Sequence, residues 1–364
     1  MSKLDELIAT LCPDGVEYKE IRSMSSVLRG KRLTKNQLFS DEQYPVYHGG
    51  LEPLGYYNEK NRDADTVMVI NVGASAGTVG YSPVDFWSSD GCFCIAHSDQ
   101  FLNRYLYYAI LCQEGYLKSR VRVAGIPTLD NAVVERLKVP VPPLEVQCEI
   151  VRILDNFTEL TAELTAELTA RKQQYEYYRD ELLTFDENDT SVEWKTLKDV
   201  LTIKNGKDYK TLGSGDIPVY GTGGIMCYVD TFAFDKPSVL IPRKGSIDKL
   251  YYVDTPFWTV DTIFYTDIDI SKVVPKYVYY YLQKEHLEKL NTAGGVPSLT
   301  QAVLNKVAIP VPTLAEQERI VSILDRFDAL CNDISIGLPA EIEARKKQYE
   351  YYRDQLLTFK EKVA

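Results

Sequence analysis

The sequence predicts a pseudo-dimer within one chain: two globular parts related by an approximate two-fold axis, held apart by two long antiparallel helices that form a coiled coil. Three observations predict it. A long internal repeat runs through the 364 residues, each copy carries an apolar stripe at helical spacing, and the tyrosine-rich ends of the two stripes match almost residue for residue.

The repeat is read directly. VPVPPLEVQCEIVRILDNF (139–157) recurs 170 residues later as IPVPTLAEQERIVSILDRF (309–327), and ARKQQYEYYRDELLTF (170–185) recurs as ARKKQYEYYRDQLLTF (344–359). Upstream, AGIPTLDNAVVERLKVPVP (124–142) matches GGVPSLTQAVLNKVAIPVP (294–312), YLYYAI (105–110) matches YVYYYL (277–282), and YPVYHGG (44–50) matches IPVYGTG (217–223). Two copies are too few to bury a solenoid core, which takes at least three. A homodimer-like arrangement made from one chain is the natural alternative. The boundaries read as a globular part at 1–140, a helix at 141–187, a second globular part at 188–311 and a second helix at 312–364.

Each globular part opens on a Val-Glu-aromatic-Lys strand, Val16 to Lys19 and Val192 to Lys195, with Tyr18 and Trp194 expected in the core. Cys92-Phe93-Cys94 reads as a buried strand. The first helix follows Pro142-Pro143, and its stripe runs Ile150, Ile153, Leu154, Phe157, Leu160, Leu164, Leu168, Tyr175, Tyr178 and Leu182 in steps of three and four. No Gly or Pro interrupts 144–185, so one helix of about 60 Å is expected at ~1.5 Å per residue. The second stripe runs Ile320, Ile323, Leu324, Phe327, Leu330 and Ile334, breaks at Gly337-Leu338-Pro339, and restarts through Ile342, Tyr349, Tyr352 and Leu356. Only the first helix repeats Thr-Ala-Glu-Leu, at 161–164 and 165–168. A four-residue unit adds about 6 Å of helix, comparable to one or two base pairs at ~3.4 Å each.

Composition narrows the function. Apolar residues at 45% and charged residues at 26% suit a folded chain. Apolar runs fall far short of the ~20 residues of a membrane span, and Asp5 and Glu6 interrupt any secretory leader, so a cytoplasmic protein without a membrane partner is expected. Seven cysteines without a C-x-x-C pair and three histidines far apart argue for reduced thiols and against zinc. The net charge of −11 is uneven: −2 over 1–139, −8 over 140–190, +1 over 191–309 and −2 over 310–364. Basic patches inside the near-neutral globular parts can still meet phosphates.

Catalytic signatures fail one by one. Gly73 to Gly80 lacks the Gly-Lys-Ser/Thr ending of a P-loop, and Lys244 to Asp248 does not preserve its glycines, so a strand–turn or DNA-facing loop is expected. Pro13-Asp14 with Glu17 and Lys19 is too closely spaced for a nuclease set and is not duplicated, and no Asn/Asp-Pro-Pro-aromatic element marks a base methyltransferase. His97 reads as an ordinary polar residue, as does His48 where catalysis is concerned.

Basic residues in matched places remain. Arg29, Lys31, Arg32 and Lys35 precede the Tyr47-His48-Gly49-Gly50 loop, and Lys204, Lys207 and Lys210 precede Tyr220-Gly221-Thr222-Gly223. Arg120 and Arg122 lie before Gly125, and Arg243, Lys244 and Lys249 around Gly245. Cations beside permissive glycine loops and exposed aromatics suit phosphate contact with readout of base edges.

Taken together, the twice-used P-V-P-x-L-x-x-Q-x-x-I-V-x-I-L-D-x-F segment, the A-R-K-x-Q-Y-E-Y-Y-R-D-x-L-L-T-F helix end and the Thr-Ala-Glu-Leu repeat resemble the specificity (S) subunits of type I restriction–modification enzymes over essentially the full length. The resemblance implies mixed α/β (α+β) target-recognition domains, each reading half of a split, asymmetric site on double-stranded DNA across a gap fixed by the helices. It also implies that this chain is not itself an enzyme and holds no cofactor. Two methyltransferase (M) subunits with S-adenosylmethionine would modify adenine, and two restriction (R) subunits would use ATP and Mg. Gln147, Ile150 and Phe157, with Gln317, Ile320 and Phe327, are the motif residues expected to dock those identical partners.

Overall fold

The computed structural model of the chain describes residues 2–186, 189–291, 297–333 and 335–362. Ile334 of the second stripe and residues 294–296 of the repeat lie outside the described residues. The chain divides into two compact units, Met1–Leu164 with Ile342–Ala364 and Thr165–Glu341. Six helices of eight residues or more run through the described residues: α1 (Lys3–Leu11), α2 (Asn103–Leu111), α3 (Leu144–Leu182), α4 (Pro275–Lys284), α5 (Leu314–Asn332) and α6 (Leu338–Leu356).

In the first unit, β1 (Tyr18–Glu20) pairs antiparallel with β9 (Lys138–Pro140). A four-stranded antiparallel sheet has the order β2 (Val27–Arg29), β8 (Cys92–Ile95), β5 (Thr66–Ile70), β6 (Val79–Ser82). A three-stranded sheet has the order β4 (Tyr56–Tyr57), β3 (Tyr44–Tyr47), β7 (Trp87–Ser88), with β3 and β7 parallel. All five residues of β5 are buried because both its faces are covered. Successive strand side chains point to opposite faces. Val67 and Val69 thus enter the core shared with α2, while Met68 and Ile70 enter a second core with Phe86, Cys92 and Cys94.

The second unit repeats this design. β10 (Glu193–Thr196) pairs with β18 (Ala308–Val311), and the four-stranded sheet is β11 (Leu201–Asn205), β17 (Ile263–Ile268), β14 (Ser238–Pro242), β15 (Tyr251–Val253). The small sheet is β13 (Gly224–Val229), β12 (Ile217–Gly221), β16 (Trp258–Thr259), again with one parallel pair. Val239 and Ile241 of β14 pack towards α4, and Leu240 packs into the other core. Tyr18, expected in the core, is only half-buried, its hydroxyl donating to Phe359 O at 3.1 Å. Trp194, expected in the core, is 39% exposed, because β10 and β18 form a separate two-stranded sheet with too little cover for an indole.

The uninterrupted helix is confirmed: α3 has 39 residues, about 58 Å at ~1.5 Å per residue. The predicted break is equally clear. Between α5 and α6, Asp333 accepts from Ser335 N at 2.7 Å, and a Cβ on Gly337 would lie 2.5 Å from Ala329 O. The stripes divide their work. Val146, Ile150 and Leu154 are buried in the first unit's own core, and Ile320, Val321 and Leu324 in the second's. Further along, the stripes make helix–helix contacts. In the first unit Phe157 stacks on Tyr352 (5.5 Å between centroids, 22°), and in the second Tyr178 stacks on Phe327 (5.6 Å, 27°). Within the second unit Tyr178 meets Phe327, Tyr175 meets the charge of Asp328, and Arg171 and Lys172 act on Cys331. Rising numbers on α3 meet falling numbers on α5, so this pair is antiparallel. Leu160 is 47% exposed, so the stripe thins where Thr-Ala-Glu-Leu begins.

The LLTF ends enter different cores. Leu183 is fully buried in the second unit's core, and Leu357 is buried in the first's. Residues beyond Leu357 complete the first unit: Val16 N donates to Lys360 O at 2.8 Å, and Lys362 N donates to Val16 O at 3.0 Å. Among the described residues no helix is long and apolar enough to cross a membrane. All seven cysteines are free thiols.

Candidate nucleic-acid interface

Each unit presents its basic cluster on the same backbone frame. Gly30 and Gly206 follow β2 and β11 and pass directly over a neighbouring strand end. A Cβ on Gly30 would lie 2.1 Å from Ser89 O, and one on Gly206 would lie 2.0 Å from Val260 O, so only glycine fits. The next residue is then locked: Lys31 N donates to Ser88 O (2.9 Å), and Lys207 N to Thr259 O (2.8 Å). Two indoles complete the lock, Trp87 Nε1 donating to Lys31 O at 2.7 Å and Trp258 Nε1 to Lys207 O at 2.9 Å. Lys31 and Lys207 therefore leave equivalent points with their side chains exposed.

In the first unit the structure brings Arg29, Arg32 and His48 together on an open cleft of about 580 Å³, which Asn71, Asp90, Ile126, Thr128, Asp130 and Asn131 also line. His48 Nδ1 accepts from Gly91 N at 3.1 Å, which puts the proton of the neutral ring on Nε2; Asp90 Oδ1 lies 3.2 Å away. Lys35 is exposed on a short 3₁₀ turn capped by Thr34. Arg120 stays outside the cleft lining, over the Tyr116 ring at 4.8 Å, while Arg122 pairs with Asp130 at 3.2 Å. Asn71, Asp90 and Asn131 were missed in the sequence. The usable signal was a polar residue closing the buried run TVMVI just before a glycine turn.

In the second unit Lys204 is tied to Asp267 at 2.7 Å and lies over Phe234, so it is partly spoken for. Lys207, Lys210, Lys244 and Lys249 are exposed, and Arg243 packs its guanidinium over Phe264 at 5.1 Å. Thr222 O accepts from Tyr251 OH at 3.0 Å. Tyr47 and Tyr220, expected as exposed aromatics, are half-buried: Tyr47 packs edge-on against Phe86 (5.5 Å) and Tyr220 against Phe257 (6.3 Å). Burial also pushes both phenol pKa values up. Gly73 to Thr78 lies in the turn joining β5 to β6, as expected, with Gly80 already in β6, but one of these glycines has a counterpart. Gly73 and Gly245 have φ of 87° and 81° and donate to the carbonyls of Pro127 and Pro297.

The expected docking residues need a correction. Gln147 and Gln317 are fully buried, and they make the same bonds. Each Oε1 accepts a backbone N–H at 2.8 Å, from Leu102 or Val274. Each Nε2 donates to two carbonyls, those of Gln100 and Pro142 or of Lys272 and Pro312. With Ile150 and Ile320 also buried, these four side chains clamp each spacer helix to its own domain and offer nothing to a partner. Phe157 and Phe327 stack on Tyr352 and Tyr178 and stay half-buried. The motif repeats because both units need the same internal clamp. Tyr108 and Tyr280 reinforce it by donating to Asp155 and Asp325.

Among the described residues no group of three or more His, Cys, Asp or Glu is placed to hold a metal, and five buried side-chain atoms lack a hydrogen-bond partner: Arg62 Nε, Asn71 Oδ1, Asn131 Oδ1, Arg243 Nε and Thr259 Oγ1. Each such atom typically costs about 1–3 kcal/mol. Asn71 and Asn131 both line the cleft, so the expense is concentrated where a ligand could relieve it.

Two copies of one α/β unit, each with cations displayed on an identical frame, define a duplicated recognition protein. The family model of the type I restriction modification DNA specificity domain matches residues 13–171 and again 191–344. The chain belongs to this family and is a specificity subunit of a type I restriction–modification system. A putative type I restriction enzyme specificity subunit of Haemophilus influenzae is 32% identical over 94% of this chain and 96% of its own length. The EcoR124I/EcoR124II specificity subunit of Escherichia coli is 39% identical over 61% of this chain and 63% of its own. In fold, the crystal structure of the type I S subunit from M. genitalium matches with a TM-score of 0.62 at 20% identity, covering 94% of this chain and 95% of that one.

Proposed function

We propose that each unit reads one half of a bipartite, asymmetric site on double-stranded DNA, and that the spacer helices fix the unread gap. One observation carries the reading: matched positions on one frame hold different side chains. Arg29 and Asn205 pair with Phe93 and Phe264 at the same register, and His48 and Gly221 follow the matched Tyr47 and Tyr220. Equal frames with unequal side chains suit two readers of different sequences. Recognition, not catalysis, is this chain's role. Two methyltransferase subunits using S-adenosylmethionine and two restriction subunits using ATP and Mg supply the chemistry, in the cytoplasm. With the glutamines buried, the docking of identical partners falls to surface residues repeated in both copies. Tyr177 and Tyr351, 64% and 61% exposed at equivalent positions, are of this kind.

The test is to express the chain with its methyltransferase partner and map methylated adenines across the host genome. A two-part motif with a constant gap is expected; a single contiguous motif, or none, refutes the reading. Lys207→Glu with Lys210→Glu should weaken binding of the complex to all sequences alike. The slope of log affinity against log salt should become shallower by about 0.9 for each phosphate that the variant no longer neutralises. An unchanged slope in a fluorescence-anisotropy titration would remove these lysines from the interface.

A further inference from the structure

Asn71 and Arg243 occupy the same position in the two units. Each is the first residue after the central strand, β5 or β14. Asn71 N donates to Gly91 O (3.1 Å) and Arg243 N to Thr262 O (3.0 Å). Leu129 N donates to Asn71 O and Leu299 N to Arg243 O, both at 2.9 Å. Two residues on, each chain turns at a glycine of positive φ. Both side chains leave a buried polar atom without a partner, Oδ1 in one and Nε in the other. Asn71 is 6% exposed, yet it lines the open cleft together with Arg29, Arg32, His48 and Asp90. That lining mixes donors with carboxylates, which suits a base edge carrying both kinds of group; a phosphate would be repelled by Asp90.

We propose that this shared position is a specificity-determining one: Asn71 reads an adenine through its N6 and N7 edge in one half-site, and Arg243 reads a guanine through O6 and N7 in the other. Asn and Arg are the side chains whose paired groups match those two edges in the major groove. Base contact then supplies the hydrogen-bond partners that the two buried atoms lack within the protein. The inference rests on the two-reader function proposed above.

Methylation mapping with the full chain and its methyltransferase partner tests it. Asn71→Ala should relax selection at one base pair of one half-site by roughly 5- to 150-fold, leaving the gap and the other half-site intact. Arg243→Ala should do the same to the other half-site, and the intact half-site in each variant shows that the protein is folded. Selectivity unchanged at every position, or lost in both half-sites at once, overturns the proposal. Duplexes carrying 7-deazaadenine or 7-deazaguanine at single positions probe the unmutated complex. One adenine in one half-site and one guanine in the other should each weaken binding when N7 is removed, and insensitivity at every purine overturns the proposal independently of any variant. If the unmutated complex yields no bipartite motif, the underlying function fails; if it does and the variants change nothing, only this inference fails.

Discussion

Deleting Thr161–Leu164 leaves both recognised half-sites unchanged and shortens the gap between them by one or two base pairs. The helix is continuous through this stretch, so removing four residues withdraws about 6 Å and rotates the C-terminal part of the helix by about 40° beyond a full turn. Little else should change, because Glu163, Glu167 and the flanking Leu160 are exposed, and Leu164 is only half-buried. Thr161 Oγ1 bonds back to Phe157 O at 2.8 Å, an interaction internal to the helix that Thr165 restores after deletion. The first unit's cleft and both basic clusters lie elsewhere in sequence, so base choice should survive. Methylation mapping of the deletion variant reads half-sites and gap together. An unaltered gap would remove the helix from its role as a ruler.

Leu357→Ala destabilises the first unit and spares the second, while Leu183→Ala does the reverse. Both leucines belong to the same LLTF repeat. Leu183 is fully buried in the second core, and Leu357, 7% exposed, is buried in the first beside Leu356 and Phe359. Buried Leu→Ala changes cost about 2–5 kcal/mol, and little compensating collapse is expected where a leucine closes a core. Hydrogen exchange on the intact chain separates the two effects. Amides of β5 and β8 should lose protection in Leu357→Ala, and those of β14 and β17 in Leu183→Ala. Loss in the unit that precedes each leucine in sequence would refute this assignment.

Much of this protein was written locally. Strand β5 declares itself in TVMVI, α3 in the stretch 144–185 without glycine or proline, and the stop between α5 and α6 in Gly337. Each follows from backbone preference and hydrophobic period, which need no distant partner. The lysines at 31 and 207 were legible for a different reason: duplication printed them twice.

Tertiary structure decided the rest. Gln147 and Gln317 looked like docking residues because they recur, and only their buried bonds to loop carbonyls show that repetition served an internal clamp. Asn71 carried no pattern of its own; its meaning comes from residues 29, 32, 48 and 90, which sequence distance hides. The destination of each LLTF was also invisible, since identical segments carry identical local signals. The physical reason is that burial depends on which neighbours far away in sequence surround a side chain, and a local segment does not encode them. Leu183 joins the cluster of Tyr175, Leu197 and Leu304, whereas Leu357 joins that of Leu4, Val16 and Leu106.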